Sequence, residues 1–304
     1  MKNNKVIYFI LATAIISGFS IFINKYGVSV VNPYVFAWLK NMLVAIILIG
    51  VIVAWKDRKS LRALNFKNWL MLLVIGIIGG GIPFLMFFKG LSLVSAAEGA
   101  FIHKTMFIYA AILGIIFLGE KITKKFFVAG LFLILGNILL LKNFHFTFGL
   151  GSALVLGATI LWAIENVISR LAMKEISWRI VASARMFFGS IFILFFLLAT
   201  NQASLISGLG AKQIGWTVIT ALLLLGYVLT WYRGLKEVRV GEATAILVLG
   251  APITTVLNLV AGKAIGWQEF AASGLILLGV FTMINIKDIL GHFKNKKEVI
   301  YVRA

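Results

Sequence analysis

Cysteine is absent from this chain of 304 residues, which also has only three histidines, three prolines and ten acidic residues. The lack of cysteine excludes disulfides and thiolate metal sites, although it leaves the compartment open. The three histidines, His103, His145 and His292, are far apart and lack the spacing of metal ligands. An enzyme would need a nucleophile with its base or a ligand set, so we expect no catalytic activity, no metal and no cofactor.

Charge is scarce as well, because 13% of the residues are charged whereas 61% are hydrophobic. A soluble globule of this size needs more polar surface, so the chain is predicted to lie in a bilayer. Its apolar runs show no alternation of apolar and polar residues, which a membrane β-strand would need. Runs of about 20 residues, enough to cross the hydrocarbon as helices, are predicted at 6–24, 34–54, 69–89, 94–118, 126–142, 149–172, 180–200, 215–236, 242–262 and 268–286.

The basic residues fall mainly in alternate loops between these runs, and the net charge is +19. Short cytoplasmic loops retain Lys and Arg, so the sequence predicts a multi-pass plasma membrane protein with both termini in the cytoplasm. Anionic lipid headgroups are the expected partners of this basic face. Nucleic acid is a poor interpretation, because the charges are spread over many short loops. The last residues, 288–304, are predicted to form a basic cytoplasmic tail.

Charged residues recur in the two halves of the chain at a shift of 144 to 145 residues. The matched pairs are Lys25 and Arg170, Lys40 and Arg185, Lys89 and Arg233, and Glu98 and Glu242. A repeat of this length is a signal at the level of the fold. We therefore predict an all-α integral membrane protein with two five-helix repeats, residues 1–143 and 147–287. Because five is odd, the repeats should be inverted, with a site at their interface that opens alternately to each side.

A short motif links the chain to a known family. The segment Leu118-Gly119-Glu120-Lys121-Ile122-Thr123, followed by Gly130 and Gly136, resembles the signature of the EamA-type domain of the drug/metabolite transporter superfamily, and Ala251-Pro252 resembles the family's proline in helix 9. The resemblance implies two EamA-type repeats around a central cavity, lined mainly by helices 1–4 and 6–9, and export or exchange of small metabolites. Two positions depart from the pattern: Phe107 replaces the proline of the first repeat, and Lys263-Ala264 replaces Gly-Glu in the second.

His103 and Lys104 have no charged counterpart in the second repeat. They lie roughly 9 Å deeper than Glu98 at 1.5 Å per helical residue. A charge near the midplane costs at least about 2.5–3.5 kcal/mol, so it normally faces protein or water. We interpret Lys104 as a substrate-contacting or coupling residue, with a structural ion pair as the alternative. His103 is either a packing histidine or a proton-responsive group.

Glu165 and Asn166 interrupt the apolar run of helix 6 beside Trp162. Glu165 is a candidate to neutralise Lys104, to bind a substrate ammonium or to carry a proton, and a purely structural salt bridge is an equal alternative. Trp162 either stacks on a substrate or packs. Asn166 belongs to the same candidate site.

Two charged pairs flank short connections between helices. Lys89 and Glu98 lie between helices 3 and 4, and Arg233 and Glu242 lie between helices 8 and 9. They are interpreted as gating ion pairs, or else as helix-capping acids with snorkelling bases. The other repeated bases are further candidates to line the cavity: Lys25, Lys40, Arg170 and Arg185.

Glycines crowd the middle of helix 3 between residues 76 and 83, whereas the matching stretch of helix 8 has only Gly226. This cluster indicates a hinge or a surface for close helix packing. Together these features predict a secondary transporter of a small organic metabolite, an amino acid or related carboxylated solute. Carriers of phosphorylated sugars or nucleotide-type anions, lipid translocases and channels are the alternatives.

Overall fold

The computed structural model describes residues 5–54, 58–94, 96–140, 148–262 and 264–283, and within these ranges the chain is helical without strands. Helix is expected because hydrocarbon offers no partner to an unpaired backbone group. The long helices of the described residues are α1 (Lys5–Val30), α2 (Pro33–Ala54), α3 (Phe66–Leu93), α4 (Ala96–Lys104 and Met106–Leu118), α5 (Lys124–Leu139), α6 (Leu150–Ala172), α7 (Trp178–Ala199), α8 (Ala211–Leu235), α9 (Val240–Val260) and α10 (Trp267–Met283). A short helix, Arg58–Arg62, and a 3-10 turn, Ala203–Ile206, lie in connections.

Eight of these helices, α1 to α4 and α6 to α9, are long and apolar enough to cross a membrane. The predicted runs 126–142 and 268–286 correspond to α5 and α10, which have 16 and 17 residues in the described part of the chain. Eight predicted spans are therefore confirmed as helices of spanning length, and a full crossing by α5 and α10 stays a prediction. The predicted basic tail, 288–304, lies outside the described residues, as do His145 and His292.

Three long helices are locally irregular. In α3, the π-helical segment Gly76–Gly81 joins Phe66–Ile75 to Ile82–Leu93. In α4 the helix is interrupted at Thr105, and in α9 the 3-10 turn Leu247–Leu249 interrupts the helix. The three prolines, Pro33, Pro83 and Pro252, all lie in the first turn of a helical segment, where the missing N–H needs no helical partner.

The glycines of the π-helical segment also bring two backbones together. A Cβ atom added to Gly80 would lie 2.0 Å from the carbonyl oxygen of Arg185 in α7, and one added to Gly189 would lie 2.4 Å from the carbonyl carbon of Gly80. The glycine cluster therefore combines a widened helical turn with the close helix packing that its small residues predict.

The main contacts between helices stay the same when each helix is replaced by its counterpart in the other half. α1 packs on α8 and on α9, while α6 packs on α3 and on α4. Two further pairs are counterparts of each other, α3 with α7 and α8 with α2. Three pairs join equivalent helices of the two halves: α2 with α7, α4 with α9, and α5 with α10. The eight helices of spanning length, α1 to α4 and α6 to α9, therefore meet along an interface between the halves, and α5 and α10 pack mainly on each other.

Candidate functional site

A cavity lies at the interface between the halves, among α1 to α4 of the first and α6 to α8 of the second. Its empty volume is about 750 Å³, opening included. Aromatic side chains supply much of the lining, and Lys40 and Arg185 supply its charge. No acidic residue lines it within the described residues. A largely apolar cavity with a few convergent polar groups is the usual form of a small-molecule site.

Lys40 of α2 is 1% exposed and lies at one wall of the cavity. Its Nζ donates a hydrogen bond to Asn24 Oδ1 at 2.6 Å, and it lies 4.8 Å from the ring centroids of both Phe36 and Phe88. Asn24 in turn donates to Ser20 Oγ at 2.9 Å. No carboxylate of the described residues lies within 4.0 Å of Lys40 Nζ, so dipoles and ring faces surround this cation instead of a counter-charge.

Arg185 of α7 lies at another wall and has an acidic neighbour. Its Nε lies 4.0 Å from Oε2 of Glu165, which is fully buried in α6 behind the lining. The other carboxylate oxygen of Glu165 accepts hydrogen bonds from the hydroxyls of Ser169 and Tyr232. Arg185 also lies 5.9 Å from the Tyr232 ring centroid. Glu165, a candidate partner of Lys104 in the sequence, therefore lies against Arg185.

Lys104 of α4 is 3% exposed but does not line the cavity. Its Nζ donates to the carbonyl oxygen of Leu247 at 2.9 Å, at the 3-10 turn of α9, and to Ser17 Oγ in α1 at 3.3 Å. The Leu247 carbonyl oxygen also accepts a hydrogen bond from the backbone N–H of Gly250, so Lys104 supplies a second donor to it. It thus joins three helices rather than pairing with an acid.

The structure brings the other three predicted residues of this site to the cavity. His103 lies edge-on to Trp162, with centroids 5.3 Å apart, and both contact Phe87. Asn166 lines the cavity too, and its Oδ1 accepts a hydrogen bond from Trp231 Nε1 at 3.0 Å. These contacts form an aromatic wall of the cavity.

The π-helical turn of α3 contributes to the same site. Its carbonyl groups at Gly79 and Gly80 accept hydrogen bonds from Trp162 Nε1 at 2.9 Å and Asn41 Nδ2 at 2.7 Å. A Cβ atom at Gly79 would lie 2.4 Å from Glu165 Cγ and 3.2 Å from Arg185 Nε. Glycine at this position therefore makes room for the Glu165 and Arg185 pair.

The predicted gating residues make several contacts in the described structure, and their gating role stays a prediction. Arg233 pairs with Glu237 at 2.7 Å, and Glu242 lies 3.6 Å from Arg239 Nη1. Glu98 accepts a hydrogen bond from Ser152 Oγ of α6 at 2.5 Å, so it connects the two halves. Lys89 is half-buried on α3.

Two further basic candidates lie away from the cavity or outside the description. Arg170 donates to the carbonyl oxygen of Leu235 at 2.8 Å and borders a second cavity with Glu120, Lys121 and Arg239. The side chain of Lys25 lies outside the described part of the structure. Of the four repeated bases proposed to line the cavity, Lys40 and Arg185 are the two that do so in the described structure.

Glu120, part of the short signature motif, contacts the other half of the molecule. Its Oε1 accepts a hydrogen bond from the backbone N–H of Val240 at 2.8 Å, and Oε2 from that of Gly241 at 3.5 Å. Arg239 Nη1 donates to the carbonyl oxygen of Lys121 at 2.7 Å. A carboxylate at a helix N-terminus satisfies free N–H groups and favours the dipole. The motif thus joins the end of α4 to the start of α9.

The aromatic residues of α8 were missed in the sequence. Tyr227, Trp231 and Tyr232 all contact the cavity or its buried acid, and the rings of Tyr227 and Trp231 stack with centroids 6.1 Å apart. Their spacing places Tyr227 and Trp231 on one helix face. That signal is present in the sequence, but it is equally typical of ordinary helix packing.

Comparison with known proteins gives a consistent result. The model of the EamA-like transporter family matches residues 4–142 and again residues 149–285. The Bacillus subtilis (strain 168) protein called uncharacterized transporter YyaM is 26% identical over 293 residues, covering 93% of this chain and 94% of that protein. An uncharacterized transporter of Archaeoglobus fulgidus is 27% identical over 269 residues, covering 86% and 91%. A solved crystal structure with 16% identity matches with a TM-score of 0.75 over 93% of this chain and 96% of that one, which is a likeness of fold alone.

Proposed function

This chain belongs to the EamA-like transporter family and is a multi-pass membrane transporter, and we propose that it moves a small organic metabolite by alternating access. The substrate is an amino acid or a related carboxylated solute, and transport is export or exchange. The observation that carries this proposal is the cavity between the halves, into which the repeat-related bases Lys40 and Arg185 both project. Basic groups in a membrane interior attract an anionic group of a solute.

The packing of the helices supports alternating access by two inverted repeats. Exchange of the halves leaves the main pairs of packed helices unchanged, and the cavity lies between the halves. Such an arrangement allows one half to rock against the other around a fixed site. On the predicted topology, with both termini in the cytoplasm, the Glu98 to Ser152 contact closes the outer end, and the contacts of Glu120 with α9 close the inner end. Opening on each side would break one of these contacts.

The cell surface is the proposed location, with anionic lipid headgroups at the basic cytoplasmic face. The described basic loop residues Lys121, Lys174 and Arg239 border the second cavity, near the connections predicted to be cytoplasmic. Their interaction with anionic headgroups contributes about 1 kcal/mol for each basic residue near the surface. Accessibility labelling of single cysteines, introduced into the cysteine-free chain at Lys174 and Gly208, tests this orientation. A reagent that does not cross the membrane should label position 208 in intact cells and position 174 only after the cells are opened.

Counterflow in proteoliposomes tests the transport proposal. One set of vesicles is loaded with a mixture of amino acids and small carboxylates, and another with phosphorylated sugars and nucleotides. Each set receives its labelled counterparts outside. We expect transient accumulation of label only with the first pool, because a carrier exchanges solute through one alternately opened site.

The controls separate a carrier from the alternatives. Vesicles without protein and vesicles without internal solute should show no accumulation. Accumulation with the phosphorylated pool instead would replace the substrate class while keeping the carrier. Flux that ignores the internal solute would indicate a channel, and movement of labelled lipid analogues without solute exchange would indicate a lipid translocase.

A further inference from the structure

Two clusters of polar and aromatic residues occupy matching positions in the halves of the chain. We call the first half-site Ser20, Asn24, Lys40 and Phe88, and the second half-site Glu165, Ser169, Arg185 and Tyr232. The members correspond one to one, at a shift of 145 residues for the first three pairs and 144 for the last. Each half-site has a base, a small polar residue one helical turn from a second polar position, and an aromatic ring.

The second half-site has its own acid. Glu165 lies against Arg185, and its other carboxylate oxygen accepts hydrogen bonds from Ser169 and Tyr232. The small polar residue and the aromatic residue of this half-site therefore donate to one carboxylate, and the base lies 4.0 Å from its other oxygen. Because that carboxylate belongs to the protein, the half-site is electrically balanced without a ligand.

The first half-site has a base, Lys40, at the position that corresponds to Arg185, but it has no acid. Ser20 occupies the position that corresponds to Glu165, and Asn24 links it to Lys40 through hydrogen bonds of 2.9 and 2.6 Å. Lys40 is 1% exposed, and no carboxylate of the described chain lies within 4.0 Å of its Nζ. All four of its residues line the cavity, whereas Arg185 alone does so from the second half-site and Glu165 does not. A buried base facing a cavity is thus one negative charge short.

We propose that the first half-site binds the single carboxylate of a substrate, in the position that corresponds to the Glu165 side chain of the second half-site. This inference rests on the proposed transport function and narrows its substrate class. The carboxylate would accept hydrogen bonds from Lys40 and Ser20, with Asn24 orienting both groups. Charge-assisted hydrogen bonds of this kind are roughly twice as strong as neutral ones.

The rest of the lining indicates the remainder of the molecule. Phe84 packs edge-on and Phe87 packs tilted against Trp162 beside the half-site, with centroids 5.5 and 5.2 Å from that of Trp162. These faces suit an apolar body. The described lining has no acid for a substrate ammonium, and Arg185 is already balanced by Glu165. A phosphate dianion would carry one charge more than the free base. The geometry therefore favours a monocarboxylate with an apolar body and no amino group.

Calorimetric titration of the detergent-purified full chain tests the charge selectivity. The probes are 3-phenylpropanoate, its neutral amide 3-phenylpropanamide, and phenylalanine, which share one apolar body. We expect the carboxylate to bind about 10-fold to 100-fold more tightly than the amide, the range of one charged hydrogen-bonded contact. Phenylalanine should also bind more weakly than 3-phenylpropanoate. Equal affinities for the carboxylate and the amide, or no binding of either, would overturn the inference.

Substitutions at the missing acid give the sharper test. Ser20→Glu copies the second half-site, so its own carboxylate should occupy Lys40 and abolish the preference for 3-phenylpropanoate over its amide. Ser20→Gln has nearly the same volume without the charge and should keep that preference while weakening both probes alike. If Ser20→Gln loses the preference as fully as Ser20→Glu, side-chain volume explains the effect and the inference is wrong.

Removal of the base provides an independent variant. Lys40→Met should lower the affinity for 3-phenylpropanoate about 10-fold to 100-fold and leave that for the amide unchanged. Lys212→Met removes a cation from the exposed first turn of α8 and serves as the matched control, with no expected change in either affinity. A preference for the carboxylate that survives in Lys40→Met would place the anion elsewhere and contradict the proposal.

The counterflow experiment distinguishes this inference from the function on which it rests. If vesicles exchange amino acids or phosphorylated solutes but not 3-phenylpropanoate in competition, the carrier stands and the carboxylate half-site is wrong. If no solute of any pool is exchanged or bound, the transport proposal itself fails. Exchange that 3-phenylpropanoate inhibits in the wild type and in Lys212→Met, but not in Lys40→Met, supports both.

Discussion

Lys40 and Arg185 occupy matching positions in the two halves, yet their surroundings stabilise a buried cation in different ways. Arg185 Nε lies 4.0 Å from the Glu165 carboxylate. Lys40 Nζ instead lies 2.6 Å from the side-chain amide oxygen of Asn24 and 4.8 Å from the centroids of two aromatic rings. An acid balances the charge of the base, but each partner then requires the other, because either one alone would be a costly buried charge. Dipoles and rings stabilise a cation less and leave it available to a ligand. One position, Ser20 against Glu165, thus divides the duplicated site into a structural half and a binding half.

Glu165→Gln is expected to give the largest effect, because it leaves Arg185 buried without a counter-charge. We expect a loss of about 3–5 kcal/mol in the free energy of unfolding, measured by denaturant titration in mixed micelles. Glu237→Gln breaks the exposed pair with Arg233 and should cost no more than about 1 kcal/mol. Equal losses in the two variants would show that Glu165 does not balance a buried charge.

Gly79→Ala compares the π-helical turn of α3 with the continuous α8. The new Cβ would lie 2.4 Å from Glu165 Cγ, so an overpacking cost of about 1–3 kcal/mol is expected. Gly226→Ala in α8 is the matched control, because its Cβ meets only Ile16 Cδ1 at 3.3 Å. Thermal unfolding in detergent should rank the control above Gly79→Ala. A reversed order would mean that the glycines of α3 are not required for packing.

Lys104→Met tests whether Lys104 joins helices or contacts substrate. It removes the hydrogen bond to the Leu247 carbonyl oxygen, so a loss of about 1–1.5 kcal/mol in stability is expected. Affinity for the carboxylate probe should change little, since Lys104 does not line the cavity. A drop in affinity without a drop in stability would return Lys104 to the role that the sequence favours.

Lys40→Met should have the smallest effect on stability of the four, about 1 kcal/mol or less, because Met still packs between the rings and leaves no unpaired charge. The main expected effect of Lys40→Met is a lower affinity for 3-phenylpropanoate. Denaturant titration alongside Glu165→Gln measures the contrast directly. A loss as large as that of Glu165→Gln would make Lys40 a structural residue and remove the difference between the half-sites.

The candidate site was only partly predictable from the sequence. His103, Trp162 and Asn166 line the cavity as the sequence suggests, and the repeated bases Lys40 and Arg185 meet there. Hydropathy and the repeat locate such residues along their helices, since each depends on local sequence alone. The partner of a buried charge depends on which helix faces it, and the sequence does not show which helices face each other. Lys104 and Glu165 illustrate this, because each was a candidate partner of the other and each contacts a different helix.

Local signals in the chain are enough to predict the bilayer environment, the eight confirmed spans and the family, because long apolar runs and a short motif depend on neighbouring residues alone. The sequence also locates the glycine cluster in α3, whereas its contacts with Arg185, Glu165 and the backbone of α7 depend on how the helices pack. Likewise, the repeat pairs Lys40 with Arg185, yet the difference between an open and a balanced base emerges only when Ser20 and Glu165 are brought beside them. Electrostatic pairing and close packing act over a few ångströms between helices distant in sequence, so tertiary contacts decide them.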